Sequence, residues 1–213
     1  MRHTACAFCN SVAVRRGLLG IVLVVAVAAG VVAAVIVGIQ QARKSDRAPQ
    51  AAVAPLSLAE VSKPIPGAPA ELAALRSRVN VLRPGGATAF DAQLRALRGH
   101  PVVVNMWASW CDPCRFELPF LQREAVRRGA RVAFLGINVN DERGAAREMA
   151  ARFTMPYPSF EDPRSNLAAR YRSRGLPTTA FYNARGKLVI VHQGVFPSEA
   201  KLAEAIDRYA VRG

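Results

Sequence analysis

Cys111 and Cys114, separated by two residues, are the side chains of this chain best suited to chemistry. An apolar run that predicts a buried strand precedes them, and a pattern that predicts a helix follows them. Cys111 would then lie at the helix N-terminus, where unpaired N–H groups and the helix dipole stabilise a thiolate. Cys114 would lie about one turn further, close enough to form a disulfide with Cys111. The pair therefore predicts reversible dithiol–disulfide chemistry.

Half of a zinc site is the alternative interpretation of this cysteine pair. Zinc needs further cysteine or histidine ligands. The surrounding part of the chain offers only His100 and His192, each isolated, and no second pair of cysteines. We therefore favour redox chemistry over zinc, and we expect no metal site and no cofactor.

A second pair, Cys6 and Cys9, lies near His3 at the N-terminus. Three such ligands could hold a metal, and the thiols could also carry a lipid. A short tail provides no fold to position a reactive dithiol, so we interpret these thiols as incidental. Neither cysteine pair is followed by histidine, so the sequence predicts no attachment site for c-type haem.

Alternating helix and strand patterns over residues 67–213 would position Cys111 and Cys114. Apolar spacing predicts helices over residues 71–81, 91–98, 113–128, 142–153, 166–172 and 198–209. Short apolar runs predict strands over residues 102–107, 131–138, 157–161, 178–183 and 188–193. This alternation predicts an α/β domain with three α/β/α layers and a mixed central sheet.

The 23 uncharged residues from Gly17 to Ile39 predict a membrane-spanning helix. At about 1.5 Å per residue such a helix spans about 34 Å, and a hydrocarbon core is about 30 Å thick. The alternative is a cleaved secretory signal, whose apolar region usually has about 7–15 residues. We therefore expect an uncleaved signal anchor.

Basic residues beside this segment predict its orientation. Arg15 and Arg16 directly precede it, and a large C-terminal domain is translocated largely regardless of its charge. We therefore expect a short cytoplasmic tail over residues 1–16, one span in the cell membrane, and an extracytoplasmic domain. Residues 40–66, rich in proline and alanine, predict a flexible tether.

The composition bounds the remaining function classes. The chain has 213 residues, of which 51% are hydrophobic, and this excludes a wholly disordered or collagen-like chain. It has 29 Lys and Arg against 15 Asp and Glu, a formal net charge of +14. The basic residues are scattered and no nucleic-acid-binding motif accompanies them. We expect no nucleic acid partner, and attraction to anionic lipid is the alternative.

Residues 103–114, with Trp110, Asp112 and Pro113 around the cysteines, and residues 175–181 resemble the thioredoxin-like proteins of the TlpA/ResA/DsbE group. The resemblance covers about residues 67–212. It implies a thioredoxin fold, membrane anchoring and extracytoplasmic thiol–disulfide exchange with protein substrates. Residues 67–100 depart from it, because the family usually opens with a β-hairpin and this segment has a helical pattern.

The resemblance also implies roles for individual residues. Cys111 would be the attacking nucleophile and Cys114 the resolving thiol of a redox-active disulfide. Pro177 matches the family's cis-proline, opposite the disulfide, where the Leu176 backbone would present an edge to a substrate peptide. An ordinary proline at the start of a strand is the alternative for Pro177. We interpret Trp110 as a cover over the dithiol, because its polar N–H favours the edge of a site.

Glu117 has two interpretations. The first is a surface carboxylate in an early helical turn, where it complements the helix dipole. It also matches the active-site glutamate of ResA-like proteins, implicated in proton exchange with the thiols. Thioredoxin itself has a buried aspartate at the position of Asn105, and an asparagine does not exchange protons. We therefore predict that Glu117 acts as the acid/base.

The predicted direction of electron flow is reduction of substrate disulfides. Asp112 places a negative charge beside Cys111, which disfavours the thiolate and makes the reduced protein a better electron donor. An anchored domain also suits a membrane-embedded electron donor, and the resemblance implies apocytochrome c dithiols, in cytochrome c maturation, as one client. An oxidase is the alternative, because Arg115 could offset Asp112. A metal-handling chaperone and a catalytically silent binding module are further alternatives.

Overall fold

The computed structural model describes residues 30–33 and 54–213. The chain divides into two units, residues 1–50 and 51–213. In the first unit residues 30–33 are helical. Among the described residues, no helix is long and apolar enough to cross a membrane. The rest of the predicted anchor over 17–39 lies outside the described residues, as do the predicted tail and its thiols.

A six-stranded mixed sheet forms the centre of the second unit. Its strands are β1 (Leu82–Arg83), β2 (Val102–Trp107), β3 (Ala133–Val139), β4 (Ser159–Asp162), β5 (Thr178–Tyr182) and β6 (Leu188–Gln193). Their spatial order is β1-β4-β3-β2-β5-β6. The first four strands in this order are parallel, and β5 and β6 are antiparallel to their neighbours. The predicted mixed sheet is confirmed.

Seven α-helices surround this sheet in the part of the chain described from residue 54 onward. They are α1 (Leu58–Val61), α2 (Ala70–Arg76), α3 (Gly86–Ala96), α4 (Asp112–Arg128), α5 (Arg143–Phe153), α6 (Asn166–Arg170) and α7 (Glu199–Ala205). A π-helical turn, Ile206–Val211, continues α7. Ser198 caps α7, because its hydroxyl accepts the Lys201 N–H at 3.2 Å.

Two hydrophobic clusters lie on opposite faces of the sheet. Every residue of β2 is buried, because β2 lies inside the sheet with helices on both sides. Val103 and Trp107 belong to one cluster, and Val104 and Met106 belong to the other. Side chains of α4, α5 and α7 complete the first cluster, and side chains of α3 and α6 complete the second. Successive side chains of β2 point to opposite faces of the sheet, so this strand contributes to both clusters.

The segment before α3 differs from its predicted helix over residues 71–81. Helix α2 ends at Arg76, and Asn80 adopts a φ of 59° as the chain turns. Leu82 and Arg83 then pair with Ser159 and Phe160 of β4 as a further parallel strand. Leu82 continues the helical spacing in sequence, but its burial and these ladder bonds favour the extended conformation.

The compact unit also begins before the predicted boundary at residue 67. Gln122 of α4 is buried, and its amide forms two hydrogen bonds with the backbone of Leu56, at 2.6 and 3.0 Å. Val61 of α1 has no exposed surface. Residues 54–61, assigned to the tether by composition, are therefore held against α4, because the Gln122 amide satisfies backbone groups that a coil would leave to water.

Replacing Gln122 by alanine is expected to release residues 54–61. The side chain also donates to the carbonyls of Phe153 and Thr154, so the variant leaves several buried backbone groups unpaired and costs about 2 kcal/mol. Hydrogen–deuterium exchange should become faster in residues 54–61. Arg123→Ala is the matched control, since Arg123 makes a single hydrogen bond to this segment, to the Ala54 carbonyl at its end, besides a salt bridge of 4.0 Å with Glu199. Equal hydrogen–deuterium exchange of residues 54–61 in both variants would contradict the role of Gln122 in holding this segment.

Candidate active site

Cys111 and Cys114 lie where β2 leads into α4. Cys111 is the N-cap of α4, and its Sγ accepts the backbone N–H of Cys114 at 3.2 Å. The two residues form a disulfide with their Cα atoms 5.3 Å apart, and both are buried. Among the described residues, no group of three or more His, Cys, Asp and Glu side chains is placed to hold a metal ion. The geometry at the helix N-terminus suits a thiolate at Cys111.

Trp110 is the large exposed side chain beside the disulfide. It is 58% exposed, and its indole N–H donates to the carbonyl of Asn140 at 2.9 Å. A surface cavity of about 310 Å³ lies between Ser109, Trp110 and Arg115 on one side and residues of α5 on the other. An exposed aromatic side chain held by its polar end offers contact area to a bound peptide.

Leu176 and Pro177 lie at the same end of the sheet as the disulfide. Strand β5 starts at Thr178, which pairs with Met106 near the end of β2, and the two strands are antiparallel. The Leu176–Pro177 peptide bond is cis. Leu176 is partly buried and packs against the cluster that contains both cysteines. The structure therefore places these two sequence-predicted residues at the end of the sheet that carries the cysteine pair.

Glu117, three residues after Cys114 in α4, is fully buried, which overturns its interpretation as a surface carboxylate. Its carboxylate accepts the Asn105 amide at 3.2 Å and the backbone N–H of Phe196 at 2.8 Å. Burial raises the pKa of Glu117 to about 7, although the bond from Phe196 acts in the opposite direction. A carboxyl group with this pKa can take up and release a proton near neutral pH.

Asp112, next to Cys111, is paired with Arg115. Their side chains form an exposed salt bridge of 3.1 Å. Arg115 also donates to the Ser109 carbonyl at 2.6 Å, which fixes the guanidinium beside the active-site loop. The negative charge that Asp112 places beside Cys111 is thus partly offset.

Asp141 is a site residue that sequence reasoning missed. Its carboxylate accepts the Ser109 N–H and the Ser109 hydroxyl, each at 2.5 Å, and the Asn138 amide at 2.7 Å. These bonds tie the loop that carries Trp110 to the loop after β3. A signal was available, because polar residues at the carboxyl ends of neighbouring parallel strands lie at one edge of a sheet.

Replacing Asp141 by alanine is expected to loosen the active-site loop. Ser109 and Asn138 would lose their shared acceptor, which should cost about 2–3 kcal/mol of stability and slow disulfide exchange. Urea unfolding and stopped-flow exchange kinetics measure the two effects. Asp91→Ala, which breaks a pair with Arg170 at 3.0 Å on another face, is the control. Disulfide exchange at the same rate in Asp141→Ala and in the control would show that Asp141 does not position the active-site loop.

The model of the AhpC/TSA family matches residues 80–191, just over half of the chain. The chain belongs to the AhpC/TSA family. With this match and the sheet described above, the predicted thioredoxin-like fold is confirmed.

Two relatives of this chain have names that refer to thiol–disulfide exchange. A "Thiol:disulfide interchange protein DsbE" of Pseudomonas fluorescens biotype C is 38% identical over 100 residues, 46% of this chain and 54% of the relative. A "Thiol-disulfide oxidoreductase ResA" of Halalkalibacterium halodurans is 30% identical over 105 residues, 48% of this chain and 58% of the relative. The chain thus spans little more than half the length of these relatives. The predicted resemblance to ResA and DsbE is confirmed.

A solved structure extends this similarity. A Chlorobium tepidum protein described as a thiol:disulfide interchange protein DsbE has a TM-score of 0.50 and 26% identity. The match covers 53% of this chain and 82% of that protein.

Proposed function

We propose that this protein is a thiol–disulfide oxidoreductase that exchanges its Cys111–Cys114 pair with disulfides of protein substrates. The disulfide at the N-terminus of α4, with the buried Glu117 one turn further along the same helix, carries the proposal. The names of the ResA and DsbE relatives support it.

The exchange proceeds in two thiolate attacks. The Cys111 thiolate attacks a substrate disulfide, forms a mixed disulfide and releases one substrate thiolate. The Cys114 thiol gives its proton to the Glu117 carboxylate and attacks Cys111, which releases the second substrate thiolate. Both substrate thiolates take up protons. The substrate disulfide gains two electrons, and the Cys111–Cys114 dithiol becomes a disulfide.

The helix start explains why Cys111 attacks first. The Cys111 Sγ accepts the Cys114 N–H, and the dipole of α4 favours negative charge at that end. Cys114 lies within the first turn of α4 and close to Glu117 one turn further, so its proton has an acceptor. Trp110, Leu176 and Pro177 border the pair and form the surface on which a substrate peptide docks.

The direction of exchange is reduction of the substrate. A charged Glu117 near the cysteines disfavours a thiolate there, which favours the disulfide form and makes the dithiol a good donor. Disulfide formation in exported proteins is the second candidate, favoured by the salt bridge from Arg115 to Asp112, which weakens the effect of Asp112. Apocytochrome c dithiols are one substrate class for the reductase.

The proposed setting is the outer side of a cell membrane. The apolar segment over residues 17–39 would anchor the chain, with its N-terminus cytoplasmic. A membrane-embedded donor would then return electrons to the Cys111–Cys114 disulfide.

Trapping tests this proposal. The Cys114→Ser variant cannot resolve a mixed disulfide, so it should accumulate a covalent adduct with insulin, a disulfide-containing probe. The adduct should disappear on addition of a thiol reductant. Cys111→Ser is the matched control and should trap nothing. Adducts of equal yield in both variants, or in neither, would contradict Cys111 as the attacking residue.

A further inference from the structure

A row of polar side chains crosses the sheet from Glu117 to the edge strand β6. Asn105 of β2 donates to Glu117 at 3.2 Å. Asn105 pairs directly with Thr179 of β5, and Thr179 pairs directly with His192 of β6. Directly paired residues point to the same face, and their Cβ atoms lie about 5 Å apart. The three side chains therefore form one continuous row that starts at the buried carboxylate.

Each member of this row has an unused polar atom. Within the described part of the chain, Asn105 Oδ1, Thr179 Oγ1 and His192 Nε2 are buried and have no hydrogen-bond partner. Buried polar atoms are nearly always satisfied by protein or by an ordered water molecule. Three such atoms in register, next to an acid, are costly in a purely structural role, because each leaves a buried polar group unpaired.

The far end of the row reaches the protein surface. His192 stacks on Phe196 with ring centroids 4.0 Å apart, and both line an open cavity of about 270 Å³ beside the C-terminal helix. Phe196 in turn donates its N–H to Glu117. Burial lowers the pKa of His192, although a hydrogen bond with the backbone of Val195 acts in the opposite direction. A neutral imidazole has one nitrogen that donates and one that accepts, so it can relay a proton.

We propose that Thr179 and His192 form a proton route between Glu117 and the solvent in the cavity at His192, completed by bound water that the Asn105 side chain holds. The inference rests on the proposed function, because it supplies the step that resets Glu117. Glu117 takes the Cys114 proton during exchange and must release it before the next cycle. The route carries that proton from the Glu117 carboxyl, past the Thr179 hydroxyl, to the His192 imidazole and then to water.

Other ionisable groups face the two ends of this route. Tyr157 lies close enough to Glu117 for the carboxylate charge to act on it, and its pKa is raised, mainly by burial. Lys201, Glu204, Arg208 and Tyr209 line the cavity with His192. Lys201 and Glu204 are paired with each other at 2.9 Å. None of these side chains belongs to the cross-strand row, so His192 is the imidazole that connects the row to the cavity.

Proton exchange at Glu117 tests the route directly. We would follow the carboxyl carbon of isotopically labelled Glu117 by NMR in the disulfide form of the full chain, with Glu117→Gln for assignment. In the wild type, exchange between the protonated and charged forms should be fast at the titration midpoint. Thr179→Val and His192→Phe should slow this exchange at least about tenfold and leave the midpoint pH nearly unchanged.

Two further variants separate a route from a structural effect. Thr179→Ser keeps the hydroxyl and should restore fast exchange. Tyr182→Phe removes a buried hydroxyl from the same strand, β5, on the opposite face, where it bonds Tyr171 at 2.7 Å, and should exchange as the wild type does. An unchanged exchange rate in Thr179→Val, or an equal loss in Tyr182→Phe, would overturn the route. Because this measurement needs no thiol, its outcome is independent of the trapping test of the proposed function.

Discussion

Replacing Cys111 by alanine is expected to lower the turnover of a disulfide substrate at least about 1,000-fold, because the attacking thiolate is lost. The fold should survive, since a small apolar side chain replaces one that is buried in the first hydrophobic cluster. Steady-state reduction of insulin, with a chemical reductant as the electron source, measures the loss. Circular dichroism of the same sample checks the fold.

The second cysteine pair supplies the control for this experiment. Cys6→Ala and Cys9→Ala remove thiols that the sequence analysis interprets as incidental, and both variants should turn over substrate at the wild-type rate. A large loss of turnover in either of these variants, or a small loss in Cys111→Ala, would show that Cys111 and Cys114 are not the reactive pair.

Replacing Glu117 by glutamine is expected to remove a large pH dependence of stability. Burial raises the pKa of Glu117 from an ordinary 4.5 to about 7, so the folded protein holds a proton that the unfolded chain releases between these values. The free energy of unfolding of the wild type should therefore fall by about 3 kcal/mol from pH 4 to pH 8 through this one group. The variant should lack that decrease, because its amide does not titrate.

Urea unfolding at several pH values measures this difference. The Asn105 amide, whose Oδ1 is unpartnered among the described residues, can turn to accept a hydrogen bond from the new glutamine, so the variant should fold. Glu71→Gln, an exposed carboxylate in the first turn of α2, is the control and should keep the wild-type pH dependence. Parallel pH profiles for Glu117→Gln and the wild type would show that Glu117 titrates normally.

Much of the fold was predictable because its signals are local. The boundaries of β2 and β6 agree with the predicted strands, since short apolar or alternating runs flanked by glycine, proline or polar residues define them. The cysteine pair was predictable for the same reason, because its position between strand and helix is visible in sequence. Strand β1 was missed, since two residues are too few for a periodic signal.

Features of the site that depend on contacts distant in sequence were harder to predict. The bonds from Asp141 to Ser109 and from Gln122 to Leu56 join residues far apart in the chain, and neither side chain has a local motif. The buried Glu117 likewise accepts the backbone N–H of Phe196, which lies 79 residues further along the chain. The family resemblance indicated the role of Glu117, but only the fold shows why its pKa rises.

The reduction potential of the Cys111–Cys114 pair tests the central claim most directly. The full chain would be equilibrated with glutathione buffers of graded potential, and its free thiols alkylated and counted by mass. We expect reversible conversion with a midpoint near that of thioredoxin, about −270 mV. A midpoint of about −120 mV, typical of strong disulfide donors, would contradict the proposed reductase. A disulfide that does not equilibrate with the buffers at all would contradict the proposed exchange.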